Sequence, residues 1–185
     1  MSVPVVLDPG VGLLICAAFA LLFAQAAYHK WQRLAEFGAI IANYRLLPRA
    51  IEPLVAPFIP TLETLVAAFL LPPATRVPAA LVGALLLLAY AAGIAINLGR
   101  GRRDVDCGCS GPADRRPIGA WMVWRNLLLV LLLALVLLPW SARVLQPVDL
   151  LTMAGGLLVA ALLYAALDHL YAQVVPRGAV LRGAR

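Results

Sequence analysis

Four stretches of this sequence run for about the length of a bilayer crossing without one charged side chain: 9–28, 77–99, 126–142 and 150–167. A hydrocarbon core about 30 Å thick needs roughly 20 mostly apolar residues in a helix, the one open-ended conformation that satisfies its backbone groups internally. A fifth stretch, 53–75, contains a single charge, Glu63, and is entered through three prolines, Pro53, Pro57 and Pro60. Because proline interrupts the helical hydrogen-bond ladder, a regular helix is expected there only from near Ile59, ending at Pro72-Pro73. The whole chain is 63% hydrophobic and 13% charged. That leaves too little polar surface to clothe a soluble globule and excludes a soluble enzyme.

The expected fold is an all-α integral membrane protein with one helical domain over residues 1–175. Its spans fall at about 9–28, 57–73, 78–98, 121–141 and 149–172, with a loop over 100–120 and a disordered tail over 176–185. The first span resembles a signal peptide only superficially, since Asp8 and no basic residue precedes it; His29-Lys30-Trp31 reads as an interfacial stop. Trp121, Trp124 and Trp140 bracket the fourth span as an aromatic belt. Phe37, Ile40, Ile41 and Tyr44 share the spacing of one helical face, either an interfacial amphipathic helix or one packed under the bundle.

The net charge of +6 could suggest nucleic acid, but the basic residues sit between the apolar runs, where they act as topology signals and contact lipid head groups. None precedes the first span; four lie in 30–52, one in 72–78, six in 100–125, one in 142–149 and three in the tail. This alternation places the 30–52 loop, the 100–125 loop and the tail in the cytoplasm.

The most specific motif lies in the most basic loop: Asp106-Cys107-Gly108-Cys109-Ser110-Gly111. Two cysteines one residue apart can form a small, strained ring, and strained disulfides are labile and oxidising. Gly108 supplies the backbone freedom such a ring needs. The pair therefore reads as a dithiol/disulfide that exchanges with a partner. Two other readings stay open: a metal site drawing on Cys16, His29 or His169, and two loop cysteines held by local turns. Cys16, inside the first span, reads as a packing residue.

Glu63 is the carboxylate set deepest among the apolar runs, and such a group calls for a partner. Span one ends and span two begins on the same side, so Lys30 or His29 can reach it. The group Lys30, Glu63 and His29 is thus a candidate polar membrane site, either a pair locking two helices or a proton or quinone site. Gln25 and Asn97 could line a polar pocket or hydrogen-bond between helices. Asp168 and His169 read as interfacial.

The order Ala26-Ala27-Tyr28-His29-Lys30, Asn43-Tyr44-Arg45-Leu46-Leu47-Pro48, Pro60-Thr61-Leu62-Glu63 and Asn97-Leu98-Gly99-Arg100 through Cys107-Gly108-Cys109 resembles the MauE family of methylamine utilisation proteins, within a wider DoxX-like, redox-associated membrane group. The likeness covers roughly residues 8–140. The family more often has phenylalanine in place of Ser110. The resemblance implies a DoxX-like four-helix transmembrane bundle plus a fifth span, in the bacterial inner membrane. It further implies a part in maturing the small subunit of methylamine dehydrogenase, with a MauD-like thioredoxin-fold protein as partner. Cys107 and Cys109 would be the redox pair of a thiol-disulfide oxidoreductase component, with a quinone as an optional cofactor. Partner and client work outside the cytoplasm, opposite to the side that the charge bias assigns to the cysteine loop. Rival functions are a small metal or ion transporter using the cysteine pair, and a non-catalytic scaffold for the partner.

Overall fold

A computed structural model describes residues 6–102 and 118–182, with side chains to Leu167 and at Leu170. The described elements are helical: α1 (Pro9–Gln32), α2 (Leu34–Tyr44), α3 (Glu52–Phe69), α4 (Arg76–Gly99), α5 (Ala120–Ala134) with a 3-10 turn at Leu135–Leu137, and α6 (Pro147–Arg182). Five of these, all but α2, are long and apolar enough to cross a membrane, counting α5 with its 3-10 turn. The protein is thus an all-helical, multi-pass membrane chain.

Local chemistry sets the ends. Asp8 caps α1 by accepting the Gly10 N–H at 2.8 Å, and Pro9 occupies the first turn, where its missing N–H costs nothing. His29 and Lys30 lie in the last turn, at the negative end of the helix dipole. α3 corrects one expectation: it is helical from Glu52, well before Ile59, with Pro57 and Pro60 inside it. Proline removes the N–H donors that the carbonyls of residues 53 and 56 would otherwise receive. The hydroxyls of Thr61 and Thr64 add bonds to the carbonyls of Pro57 and Pro60, at 2.8 and 2.7 Å. These bonds reinforce the turn that follows each proline.

Residues up to Arg143 form one compact unit and those from Val144 another. In the first unit, α1, α3, α4 and α5 meet around Phe19, Phe23, Val66, Leu70, Leu86, Leu87 and Leu133. Gly83 marks the crossing. A Cβ there would lie 3.1 Å from each of Leu133, Phe23 and Val66, so one residue of α4 faces three helices at once. α2 packs on α3 and α1 with Phe37 buried, which selects the packed reading of this amphipathic segment.

The two ends of the bundle are closed differently. At one, Leu7 exchanges backbone hydrogen bonds with the chain around Trp140, from its N–H to the Pro139 carbonyl (2.8 Å) and from the Ser141 N–H to its carbonyl (2.9 Å). Arg143 donates to Asp8 at 3.0 Å beside this pairing. The guanidinium of Arg76 stacks 3.9 Å above the Trp140 ring, which in turn lies on Gly12. At the other end, α2 meets the C-terminus of α4. In the second unit, α6 starts at Pro147, where the Asp149 carboxylate accepts the Gln146 N–H at 2.6 Å. The α6 backbone stays helical to Arg182, past the limit near residue 172 expected for the fifth span and into the stretch 176–185 expected as a tail.

Candidate functional site

Three helices deliver one charged cluster to the interior of the first unit. Lys30 (α1) donates to Glu63 Oε1 (α3) at 2.5 Å and to the Tyr90 hydroxyl (α4) at 3.4 Å. Tyr90 donates to the same Oε1 at 2.7 Å. The ammonium also sits 5.3 Å from the Phe37 ring centre and 5.1 Å from that of Tyr90, within cation–π range. Lys30 is 4% exposed and Glu63 not at all. Taking one such charge out of water alone is prohibitive, so each makes the other tolerable, and the cluster as a whole is neutral. Glu63 Oε2 is buried and has no hydrogen-bond partner among the described residues, leaving spare acceptor capacity. Next to it, the Trp31 indole donates to Thr64 Oγ1 at 3.4 Å, a second tie between α1 and α3.

Of the two residues expected to reach Glu63, Lys30 does so. His29 instead lies edge-on to the Tyr28 ring, with centroids 5.8 Å apart. Gln25 is exposed. Sequence reasoning missed Phe37 and Tyr90 as members of the cluster. The available signal for Tyr90 was a phenol in a span without charges.

Asn97 belongs to a separate network at the end of α4. There Gly101 adopts φ +72°, a left-handed conformation that suits glycine. The Gly101 N–H returns to the Leu98 carbonyl and the Arg102 N–H to the Asn97 carbonyl, both at 3.0 Å. These are the two bonds of a Schellman cap. The position after that glycine usually makes an apolar contact back to the helix. Here it is Arg102, whose guanidinium donates to Asn97 Oδ1 at 3.1 Å. Asn97 is fully buried and donates to the Gly93 carbonyl at 3.1 Å. Arg102 also donates to Asn43 Oδ1 at 3.1 Å and to the Tyr44 carbonyl at 3.5 Å, while Arg100 donates to the Arg45 carbonyl at 3.3 Å. Arg45 caps α2 in the left-handed conformation at φ 50°. Two guanidiniums thus cover the exposed carbonyls of one helix C-terminus while standing at another, where the dipoles of both favour positive charge.

Cys107 and Cys109 lie outside the described residues, as do the side chains of Asp168 and His169. Cys16 is buried in α1 with a free thiol. No group of three or more metal-ligating side chains occurs among the described residues.

Residues 9–139 match the family model described as methylamine utilisation protein MauE. A methylamine utilization protein MauE from Paracoccus denitrificans is 39% identical over 142 residues, covering 77% of this chain and 75% of the relative. One from Methylophilus methylotrophus is 43% identical over 126 residues, covering 66% and 65% respectively. One from Paracoccus versutus is 38% identical over 155 residues, covering 82% and 83%. No solved structure matches.

Proposed function

The chain belongs to the MauE family, and from that premise we propose that it serves methylamine utilisation as a multi-pass inner-membrane thiol–disulfide partner of a MauD-like thioredoxin-fold protein. In this role it supports disulfide formation or processing in the methylamine dehydrogenase small subunit. The observation that carries the reading is Cys107-Gly108-Cys109, which falls inside the region shared with the family and follows the capped end of α4 in the chain.

The chemistry is exchange through a mixed disulfide. One thiolate of the pair attacks a sulfur of the partner's disulfide and expels the other partner sulfur as thiolate. The second cysteine of the pair then attacks its neighbour's sulfur in the mixed bond and releases the partner as a dithiol. Two electrons pass from pair to partner, and the same steps in reverse carry them back. Gly108 lets the two sulfurs meet. Lys30, Glu63 and Tyr90 act as the charge-neutral joint that fixes α1, α3 and α4 to one another.

The test uses intact cells making the Cys16→Ala form, so that only Cys107 and Cys109 report. A membrane-impermeant maleimide is applied with and without prior reduction. Reduction-dependent labelling from outside supports exchange with an extracytoplasmic partner and reverses the side assigned from charge. Thiols that are always free and reachable only after the cells are opened would sink the extracytoplasmic exchange role. Unimpaired dehydrogenase maturation in Cys107→Ser and Cys109→Ser strains would leave the protein a scaffold.

A further inference from the structure

Arg45 is the one non-glycine residue with a positive φ among the described residues, at φ 50° and ψ 42°. Glycine would hold that conformation without strain, so a side chain kept there points to work done by the side chain itself. Both neighbours of Arg45 lie close against α4: a Cβ at Gly93 would fall 3.5 Å from Leu46 and 3.6 Å from the Tyr44 ring. Its carbonyl is taken by Arg100. What is left is the guanidinium, which is exposed and has no carboxylate or hydrogen-bond partner among the described residues. Arg49, in the same connection between α2 and α3, is likewise exposed and unpaired among them.

The acidic residues at this end do not offset these cations. Glu36 is engaged by Arg33 at 3.1 Å, and Glu52 sits in the first turn of α3, where the helix dipole favours it. The opposite end of the bundle is different, since Arg143 is paired with Asp8 and Arg76 is stacked on Trp140. Just after Arg49 an exposed apolar stripe begins: Ile51, Leu54, Phe58, Leu65 and Phe69 follow one another at helical intervals on one face of α3. The stripe is about 27 Å long, against roughly 15 Å for the hydrocarbon depth of one leaflet. Unpaired guanidiniums at the head of such a stripe complement a molecule that has an anionic phosphate above hydrocarbon.

We propose that Arg45, Arg49 and Arg100 form a binding site for an anionic phospholipid, whose phosphate the guanidiniums hold and whose acyl chain lies along Ile51, Leu54 and Phe58. The planar fork of arginine matches two phosphate oxygens at once. A zwitterionic lipid brings its own cation to the same place and is held less well. The site is independent of the thiol-exchange reading.

The experiment uses the full chain in nonionic detergent micelles, as wild type, Arg45→Gly, Arg49→Gln and Arg33→Gln. Each is given equal amounts of phosphatidylglycerol and phosphatidylcholine of one acyl composition, and the retained lipids are counted by native mass spectrometry. Wild type is expected to retain phosphatidylglycerol over phosphatidylcholine by about tenfold, and Arg45→Gly and Arg49→Gln each to lower that ratio by about threefold or more. Arg33→Gln removes the same charge from outside the site and should stay within about twofold of wild type. Arg45→Gly should also unfold at a higher temperature in lipid-free micelles, because it relieves the left-handed strain; its lost preference then has no source in unfolding. Equal retention of the two lipids by wild type overturns the proposal. So does an equal loss in Arg33→Gln, which assigns the preference to the general field of the protein. Displacement of the lipid by millimolar inorganic phosphate, but not by chloride at the same ionic strength, makes this a site for free phosphate and also overturns it.

Discussion

Lys30 Nζ stands 2.5 Å from Glu63 Oε1 in a part of the bundle where the ammonium is 4% exposed and the carboxylate not at all. The two residues come from helices joined through α2, whose Phe37 covers the ammonium. A pair so placed holds α1 to α3 only while both members are present, since loss of either strands the other in an apolar interior.

Glu63→Ala and Lys30→Ala should therefore each destabilise the bundle by about 3–5 kcal/mol, whereas the double change Lys30→Met with Glu63→Met should recover most of that loss. Denaturation of the detergent-solubilised protein measures it. A double variant as unstable as the sum of the single ones would show that the two side chains act independently.

Tyr90→Phe should cost only about 1 kcal/mol, because Lys30 keeps Glu63 Oε1 paired and the ring stays beside the ammonium. The same denaturation series reads this. A loss as large as that of Glu63→Ala would mean that the hydroxyl is the carboxylate's main support.

These three residues mark how far the sequence could be read. Glu63 stood out as a lone charge in an apolar run, and Lys30 and His29 were its evident candidates. The choice between them was not legible, because α1 is apolar all round and has no marked face. Packing makes one: Cys16, Phe19, Phe23, Ala27 and Lys30 form a single buried stripe, and His29 lies about 100° round the helix from Lys30.

At the opposite end, Arg143 holds the Asp8 carboxyl below the ordinary value of 3.8, chiefly by hydrogen bonding. A carboxylate whose folded pKa is depressed contributes stability that is fully present above its unfolded pKa and is lost as pH falls through the folded one. The pairing of Leu7 with the Trp140 segment should thus loosen only below about pH 4, and Asp8→Asn should remove that acid step. Hydrogen exchange of the Leu7 and Ser141 amides against pH reports it. An acid step that persists in Asp8→Asn would assign it to another group.

Gly12 faces the indole of Trp140, and a Cβ there would fall 2.6 Å from ring carbon Cζ2. The ring is pinned by its Nε1 donation to the Val136 carbonyl and by the guanidinium stacked on it, so it has little freedom to yield. Gly12→Ala should cost about 1–3 kcal/mol through overpacking. Trp140→Leu should relieve most of that increment. Additive losses in the double variant would show that the contact is not what limits Gly12.

The number of membrane-length helices, their approximate limits and the alternation of charge between them were all determined by sequence alone. A bilayer imposes its thickness and its dislike of charge on each segment locally, so these features do not depend on a neighbour. The proline-rich α3 escaped that reading because contacts with other helices, through Glu63 and Val66, form only in the folded bundle and hold the segment helical despite Pro57 and Pro60. Tertiary structure alone decided that Tyr90 joins Lys30 and Glu63, and that Arg102 spans from Asn97 to Asn43. Those contacts depend on how each helix is rotated about its own axis, which a uniformly apolar sequence leaves open and only close packing among the helices selects.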